Sequence, residues 1–386
     1  MVVKIVHTAD WHIGKVVNNH SLIEDQRTIL NDWLAQTVAL KPDLVIMAGD
    51  LYDRTLPSGE TVQLVNETLT KMSQELACPI CIIAGNHDSG ERVGYAADLL
   101  SGQGLHMAGV PSTEIQKVEV GDADVYLLPF SDHLTIKRLY PEETIHSIED
   151  ATKVQVARIK DKWDPSRVNI ILYHGYVTAG AIEGAGEDLE KSDSERPLSI
   201  GTSEYVPHTV FDGFDYVALG HLHGPQQVGS PRIRYSGSPL KFSKSEVHHH
   251  KAFLEIDLDK KADTIEVVKH ELKSDKDMRI MRGQFEDLLQ GQSDDYIFFE
   301  LTDAYAQHEA MNRLKKRYPN AMSLEYVALE NRQRQDLKTK RHEVQATPVW
   351  DQFAQFYQNN TDQELSAFQA EIVRDIFQST LKEDKA

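Results

Sequence analysis

The stretch LVIMAGDLYD, residues 44–53, joins an apolar run to a polar end. Its first half has the composition of a fully buried strand, and its second half carries the carboxylates Asp50 and Asp53. Four more apolar runs also end in polar side chains: Val2–Val6 before Asp10 and His12, Pro79–Ala84 before Asn86 and His87, Asn169–Tyr173 before His174, and Tyr216–Leu219 before His221 and His223. Because ligands bind at the carboxyl ends of strands in open α/β sheets, these segments predict one shared site at a sheet edge.

Helical patterns lie between the first of these strands. Ser21–Leu40 carries apolar residues at a helical period, and Pro42 follows as a stop signal. Ser58 is placed to cap a second helix. Strands that alternate with helices form βαβ units, so the sequence predicts an α/β fold class with a mostly parallel sheet.

The polar strand ends have the chemistry of metal ligands. A single histidine after a strand is most often structural, whereas five polar strand ends in one chain indicate a site. The candidate ligands are carboxylates, imidazoles and one amide oxygen: Asp10, His12, Asp50, Asn86, His174, His221 and His223. Imidazole with carboxylate suits manganese, iron, cobalt or zinc better than calcium or a magnesium-only site. Seven ligands are too many for one tetrahedral ion and fit two ions that share a carboxylate and can clamp a phosphate.

The charge of the chain limits its partners. Its 386 residues include 41 Lys and Arg against 60 Asp and Glu, a formal net charge of −19. This acidity argues against a basic face that coats nucleic acid and against docking on an anionic membrane. Chemistry on phosphates stays possible, because bound metal ions supply positive charge locally. We expect a cytoplasmic protein with no membrane partner, since neither a signal peptide nor the roughly 20 apolar residues of a spanning helix is visible.

Two further motifs are interpreted as structural. Cys78 and Cys81 form a CPIC motif that runs into an apolar stretch. A redox pair normally opens a helix and a zinc site needs two more ligands, so we predict ordinary strand residues. The triple histidine His248–His250 is interpreted as a polar turn before the next strand.

The order of the motifs, DxH, GDxxD, GNHD, a lone histidine and GHxH, resembles the calcineurin-like metallophosphoesterase superfamily. The opening KIVHTADWHIG, the YSGSP at Tyr235–Pro239, a small following domain and a helical tail make the chain similar to the nuclease subunits of bacterial exonuclease complexes. The resemblance covers nearly the whole chain. It implies a four-layer α/β/β/α sandwich with two divalent metal ions at one edge, and manganese is the ion that we expect.

The resemblance also implies a role for each site residue. One ion would be held by Asp10, His12, Asp50 and His223, and the other by Asp50, Asn86, His174 and His221. His87 would face the scissile phosphate as a catalytic residue, where it stabilises charge or protonates the leaving oxygen. Asp53 would orient His87, although some relatives have histidine at that position. Arg54 is either a phosphate contact or a solvated side chain.

Four segments are expected: a nuclease domain at 1–270, an α+β capping domain at 271–330, a basic linker at 331–345 and a helical tail at 346–386. In the capping domain, Ala306–Tyr318 is predicted to be helical, and in the tail a capping box at Thr361–Glu364 is predicted to start a helix. Between Thr178 and Thr202, a long polar stretch predicts a surface loop beside the site. The basic linker either touches DNA phosphates or is solvated.

The tail carries an apolar stripe that either packs on its own domain or binds a partner. The resemblance implies the second role, docking on an ATPase of the SMC type by a helix-in-groove mode. The residues of this stripe are Trp350, Phe353, Phe356, Tyr357, Leu365, Phe368, Ile372 and Ile376.

The function that the resemblance implies is that of a metal-dependent DNA nuclease. It would act as a double-strand exonuclease and a single-strand or hairpin endonuclease in DNA repair and recombination, as a homodimer within a heterotetramer with the ATPase. Two alternatives stay open on the site motifs alone: a phosphoesterase for small nucleotides or phosphoproteins, and a non-catalytic scaffold. The capping domain and tail favour DNA, because a small substrate needs neither, and the complete ligand set favours an enzyme.

Overall fold

The computed structural model describes residues 2–180, 189–195, 198, 204–327, 353–354, 356–358 and 363–374. The predicted linker at 331–345, part of the loop between Thr178 and Thr202, and the stripe residues Trp350 and Ile376 lie outside the described residues. None of the helices in the described ranges combines the length and the apolarity that a bilayer-spanning segment requires.

The strands fall into two large sheets and three small ones. Their bounds are β1 (Val2–Thr8), β2 (Val16–Val17), β3 (His20–Ser21), β4 (Leu44–Ala48), β5 (Ile80–Ile83), β6 (Leu105–Ala108), β7 (Gln116–Val120), β8 (Ala123–Leu128), β9 (Val168–His174), β10 (Tyr176–Thr178), β11 (Tyr205–Pro207), β12 (Tyr216–Gly220), β13 (Gln226–Val228), β14 (Ser230–Tyr235), β15 (Ala252–Asp259), β16 (Thr264–Glu271), β17 (Met278–Gly283), β18 (Tyr296–Leu301) and β19 (Ala321–Tyr326).

The helices are mostly short, apart from three that cover the large sheets. Their bounds are α1 (Ile23–Leu40), α2 (Gly59–Glu75), α3 (Gly90–Val93), α4 (Ala97–Ser101), α5 (His133–Leu139), α6 (Ile148–Lys160), α7 (Phe285–Leu288) and α8 (Ala310–Lys315). The hydroxyl of Ser58 accepts a hydrogen bond from the backbone of Thr61, as predicted for a cap. Lys41 ends α1 in a left-handed conformation, one residue before Pro42.

The two six-stranded sheets are built alike. The first has the order β16-β15-β1-β4-β5-β6 and the second β13-β14-β12-β9-β8-β7. In the first, β1, β4, β5 and β6 run parallel, and in the second β14, β12, β9 and β8 do. The predicted mostly parallel arrangement is thus confirmed, and the carboxyl ends of β1, β4 and β5, like those of β9 and β12, reach one edge of their sheet.

Alternating side chains of these strands separate four layers. In β4, Val45 and Met47 pack with Trp33 of α1 and Met72 of α2, while Ile46 faces the other way. Ile46 belongs to an apolar layer that joins the inner faces of the two sheets, with members such as Ile5, Ile83, Val125, Ile170 and Ala218. Helix α6 covers the outer face of the second sheet through Val156 and Ile159. The expected α/β/β/α sandwich is therefore present.

The strand prediction is confirmed for Cys81 and was wrong for Cys78, which lies in a bend two residues before β5. Cys81 is buried within β5 and Cys78 is partly buried just before it, and both are free thiols. Burial raises the pKa of Cys78 to about 11 and raises that of Cys81 further. Thiols in this state are poor nucleophiles and poor metal ligands, which agrees with a structural role.

The chain divides into two compact units. The first contains both large sheets and, within the described residues, also Gln292–Phe298 and Lys315–Ser323. The second includes Arg282–Gly291 and Phe299–Leu314. The segment limits at residues 270, 330 and 345 remain predictions.

Two helix predictions near the end of the chain were wrong in extent. The helix predicted over Ala306–Tyr318 covers only α8, because Glu309 takes a left-handed conformation (φ 48°) and Gln307 bonds to Asp303. In the tail, residues 367–374 are helical and residues 364–366 are not. Ser366 and Gln369 form a capping box, in which each side chain accepts from the backbone N–H of the other. Thr361, the first residue of the predicted capping box, lies outside the described residues.

Candidate metal centre

The predicted ligands meet at one edge of the two sheets. Asp10 and His12 follow β1, Asp50 follows β4 and Asn86 follows β5, while His174 ends β9, and His221 and His223 follow β12. Asn86 is partly buried. The other six are at most 2% exposed. Polar groups of this kind are rarely buried without partners, so the edge is a built site.

The backbone at this edge is strained. Asp10, His12 and Asp50 have left-handed conformations with φ of 54°, 44° and 54°, and His221 has φ of 110°. Residues with a side chain seldom adopt such angles, and they concentrate at functional sites. Two backbone hydrogen bonds hold the first three in place, from Asp10 N–H to the carbonyl of Gly49 (3.0 Å) and from His12 N–H to that of Asp50 (2.9 Å).

Glycine is required at two points where the sheets approach each other. Gly49 has φ of 94°, and a Cβ added there would collide with the ring of His174. A Cβ on Gly220 would collide with the carbonyl oxygen of Ala48. These contacts explain the glycines of the GD and GHxH motifs.

Asp10, His12 and His223 form the first ligand group, with ligand atoms that all lie within 4.8 Å of one another. The Nε2 atoms of His12 and His223 face each other at 3.1 Å. Asp50 Oδ2 is 3.5 Å from His12 Nε2, so Asp50 borders this group.

Asp50, His174 and His221 form the second group by the same criterion. Asn86 Oδ1 joins it, 2.9 Å from His174 Nε2 and 3.0 Å from His221 Nδ1. Asp50 Oδ2 is 3.4 Å from His174 Nε2. Asp50 therefore borders both groups, as a shared ligand of two ions would.

His87 lies beside the first group, with its ring centroid 4.5 Å from that of His12. Its Nδ1 is 2.9 Å from the backbone carbonyl of Asp53, and its backbone N–H donates to Asp50 Oδ1 (2.8 Å). The resemblance implied that Asp53 orients His87. The Asp53 carbonyl makes the contact just given, and a carboxylate oxygen of Asp53 also lies within 4.8 Å of ring nitrogens of His12 and His87. The same carboxylate accepts from Lys15 (2.8 Å) and lies 3.7 Å from His12 Nδ1. Arg54 is 67% exposed, 3.5 Å from that carboxylate.

The charge distribution at this edge favours the binding of cations. Asp10 and Asp50 are buried, and among the described residues no Lys or Arg forms an ion pair with either. Burial alone would lower the pKa of His174, but the charges of Asp50 and Asp10 raise it to about 9. The site thus favours positive charge at a point where carboxylate, amide and imidazole converge. Divalent metal ions fit this donor set.

The other three candidate histidines lie where burial favours the neutral imidazole that a metal ion binds. Burial lowers the pKa of His12, of His221 and of His223, which favours the neutral form of each ring. Burial raises the pKa of Asp10. Burial would also raise the pKa of Asp50, but the neighbouring His174 and His12 lower it.

Sequence reasoning missed several residues that support the site. The Asp88 carboxylate accepts from the backbone of Gly85, Leu51 and Tyr52, which ties the GNHD turn to the GDLYD turn. Asp88 is the last residue of the GNHD motif, so the sequence contained a pattern that could have identified it. Ser194 and Glu246 contact His223 but lie 29 and 23 residues from it along the chain, and no local spacing reveals them.

The comparisons with known proteins agree with this geometry. Residues 3–225 match the family model for calcineurin-like phosphoesterases, and residues 274–361 match the model described as a type 5 capsule protein repressor C-terminal domain. The chain is 33% identical over 377 residues to the SbcD subunit of nuclease SbcCD from Staphylococcus epidermidis, a match that covers 96% of this chain and 97% of the relative.

Two solved structures are similar to part of the chain. One is TT1561 of Thermus thermophilus, with 14% identity, a TM-score of 0.39, and 70% of this chain and 99% of the other covered. The other is a dimetal phosphatase from Danio rerio, with 12% identity, a TM-score of 0.40, and 70% and 96% covered. From the family model over residues 3–225 and the full-length relative, the chain belongs to the calcineurin-like phosphoesterase family and, within it, to the family of SbcD subunits of SbcCD nucleases.

Proposed function

We propose that the protein is a two-metal DNA nuclease of the SbcCD type. The observation that carries the proposal is a pair of ligand groups, one containing Asp50 and the other bordered by it, with His87 beside them. Two divalent ions, with manganese as the proposed metal, would supply Lewis-acid charge for a phosphodiester. Asp10, His12, Asp50 and His223 would hold one, and Asp50, Asn86, His174 and His221 the other.

His87 is the proposed catalytic residue of the chain itself. Its contacts to the Asp53 carbonyl and to Asp50 fix the ring beside the first ligand group. A histidine held in this way can stabilise charge on a phosphate or protonate a leaving oxygen. Asp53 is a positioning residue in this proposal, since its carbonyl contacts His87 and its carboxylate faces His12.

DNA is favoured over a small phosphoester by the second family match. Residues 274–361 carry a domain that a small substrate does not need. We propose double-strand exonuclease and single-strand or hairpin endonuclease activity in DNA repair and recombination, in the cytoplasm. Because the chain has a net charge of −19, its grip on DNA would depend on the bound ions and on a partner.

The test is cleavage of linear duplex and hairpin DNA by the purified full chain with manganese, alone and with the ATPase. His87→Ala should lower the rate by about 10²- to 10⁴-fold with unchanged metal content. His146→Ala, a change of an exposed histidine, is the control. Unchanged cleavage by His87→Ala would contradict the assignment, and hydrolysis of small nucleotides without cleavage of DNA would favour the alternative phosphoesterase.

The proposed partner is an SMC-type ATPase that binds the tail. Phe368 and Ile372 stand four residues apart on the helix at 367–374, and they are 71% and 45% exposed. Phe356 is 63% exposed, while Phe353, Tyr357 and Leu365 are partly buried. An apolar pair at this spacing suits insertion into a groove of a partner. Phe368→Glu with Ile372→Glu should abolish co-purification of the full chain with the ATPase, whereas Glu371→Gln should not.

We also propose a homodimer that pairs with the ATPase in a heterotetramer. Tyr95 and Leu99 are each 79% exposed, which is unusual for large apolar side chains four residues apart. Light scattering on the full chain should give twice the monomer mass, and Tyr95→Glu with Leu99→Glu should give a monomer. A wild-type chain that stays monomeric at high concentration would contradict the dimer.

A further inference from the structure

The second ring nitrogen of His223 belongs to a hydrogen-bonded chain. His223 Nδ1 is 2.8 Å from the hydroxyl of Ser194, which donates to Glu246 Oε1 at 2.5 Å. Nδ1 itself is 3.3 Å from the same carboxylate oxygen. Because Glu246 accepts from the hydroxyl, the hydroxyl oxygen is left to accept from Nδ1–H.

A buried ion pair holds the Glu246 carboxylate next to Ser194 and His223. It is 0% exposed, at the end of a short 3₁₀ turn, and its Oε2 accepts from Lys251 at 2.5 Å. Lys251 is also buried and donates to the backbone carbonyl of His223 (2.9 Å) and to Ser238 (2.9 Å). The ion pair therefore contacts His223 at two points: Glu246 at its ring and Lys251 at its backbone carbonyl.

The segment that carries Ser194 is attached to the same turn. Asp193 N–H donates to Ser245, and Glu195 Oε1 accepts from the backbone of His223 at 2.9 Å. Ser194 thus reaches His223 from a part of the chain that holds none of the proposed ligands. The polar stretch between Thr178 and Thr202 lies, at its described residues, against the metal centre.

We propose that Ser194 and Glu246 are positioning residues that set the tautomer and orientation of His223. With the proton held on Nδ1 by the Ser194–Glu246 chain, the lone pair of His223 lies on Nε2, which faces His12 at 3.1 Å. This inference rests on the proposed function, because only under that proposal does the first ligand group bind a metal ion. A carboxylate behind a ligating imidazole raises the basicity of the ring and fixes its direction.

The proposal makes the two ion positions unequal. His174 of the second group has its Nδ1 2.8 Å from the backbone carbonyl of Ala48, which no side-chain substitution removes. His223 depends on side chains from two other segments. Loss of the Ser194–Glu246 chain should therefore weaken one ion and spare the other.

The first experiment titrates the metal-free full chain with manganese and follows binding by calorimetry and electron paramagnetic resonance. Wild type should bind two ions. Ser194→Ala should bind one of them about 10- to 100-fold more weakly, and Ser194→Thr, which keeps the hydroxyl, should recover most of the loss. Ser243→Ala is the matched control, because Ser243 bonds to the same oxygen of Glu246 at 3.1 Å without contacting His223. Equal losses in Ser194→Ala and Ser243→Ala would overturn the proposal.

The second experiment reads the tautomer directly. In the metal-free chain labelled with ¹⁵N-histidine, the His223 signals should show a protonated Nδ1 and an unprotonated Nε2. Ser194→Ala should shift them towards a mixture of both tautomers, and unchanged signals would overturn the proposal. Glu246→Gln combined with Lys251→Met tests the carboxylate without leaving one buried charge unpaired. It should weaken the same ion as Ser194→Ala does.

The outcomes separate this inference from the proposed function. If wild type binds fewer than two ions, the two-metal proposal itself fails. If wild type binds two ions and every variant binds them equally well with unchanged histidine signals, only the role of Ser194 and Glu246 fails.

Discussion

Between the two sheets, the strands carry aliphatic side chains such as Ile5, Ile46 and Ile170, all fully buried. A few residues further along the same three strands stand Asp10, Asp50 and His174, which are buried almost as completely. The first region gains stability from the removal of apolar surface from water. The second places charges and strained backbone where water cannot reach them. Burial alone therefore does not distinguish the region that stabilises the fold from the region that acts.

The largest expected effect on activity comes from a substitution at the edge of the sheets that carries the candidate ligands. Asp50→Asn keeps the shape and an oxygen that can accept from the backbone N–H of His87, but it removes the charge that lies between the two ligand groups. We expect nuclease activity to fall by about 10³-fold, since metal-ion catalysis is worth several kcal/mol. Manganese affinity should drop at both positions while circular dichroism stays that of the wild type. Loss of the folded signal would contradict the separation of edge from interior.

The interior should show the opposite result. Ile46→Ala leaves a cavity between the sheets and should lower the free energy of unfolding by about 2–5 kcal/mol. Activity per folded molecule, measured well below the unfolding transition, should stay within about twofold. Ile46→Val removes one methylene and should cost about 0.5–1.5 kcal/mol in the same urea titrations.

Gly49 stands at the border of the two regions and should affect both. Gly49→Ala adds left-handed strain and a collision with His174, and should destabilise the chain by about 2–4 kcal/mol. Manganese binding at the second group should weaken as well. Gly59→Ala is the matched control, because a Cβ there meets nothing within 4 Å. Helix α2 should gain up to about 1 kcal/mol from it.

The smallest effect concerns His7, a histidine of the interior that bonds to Tyr216 across the two sheets (2.9 Å). Burial lowers the pKa of His7 from 6.5 to about 3. Since the unfolded chain binds this proton more readily, the stability is present above pH 6.5 and is lost as the pH falls towards 3.

Between pH 7 and pH 5, wild type should lose about 2 kcal/mol more than His7→Gln in urea titrations with EDTA. His146→Gln changes an exposed histidine and should follow wild type. Equal losses in wild type and His7→Gln would show that His7 does not carry this dependence.

The sequence allowed the interior and the clustering of the candidate ligands at one edge to be predicted, because both depend on local patterns. An apolar run of five residues before Asp50 already indicates a buried strand with a polar end. The failures are non-local or depend on a choice between neighbouring signals. Ser194 and Glu246 reach His223 only after folding, and the contact between the Asp53 carbonyl and His87 uses a backbone atom that every residue has. In the tail, Thr361–Glu364 and Ser366–Gln369 both fit a capping box, and spacing alone does not select the second.

His174 meets the carbonyl of Ala48 although 126 residues separate them, so the site joins parts of the chain that are synthesised at different times. Asp10, His12, Asp50 and Asn86 have all left the ribosome once residue 86 has, whereas both ligand groups become complete only with His221 and His223. A nascent chain that has formed only β1, β4 and β5 offers an incomplete site with the carboxylates already in place. Under the two-ion proposal, tight metal uptake therefore begins only after β9 and β12 have been made and have packed against β1, β4 and β5, so uptake would mark the joining of these two sets of strands.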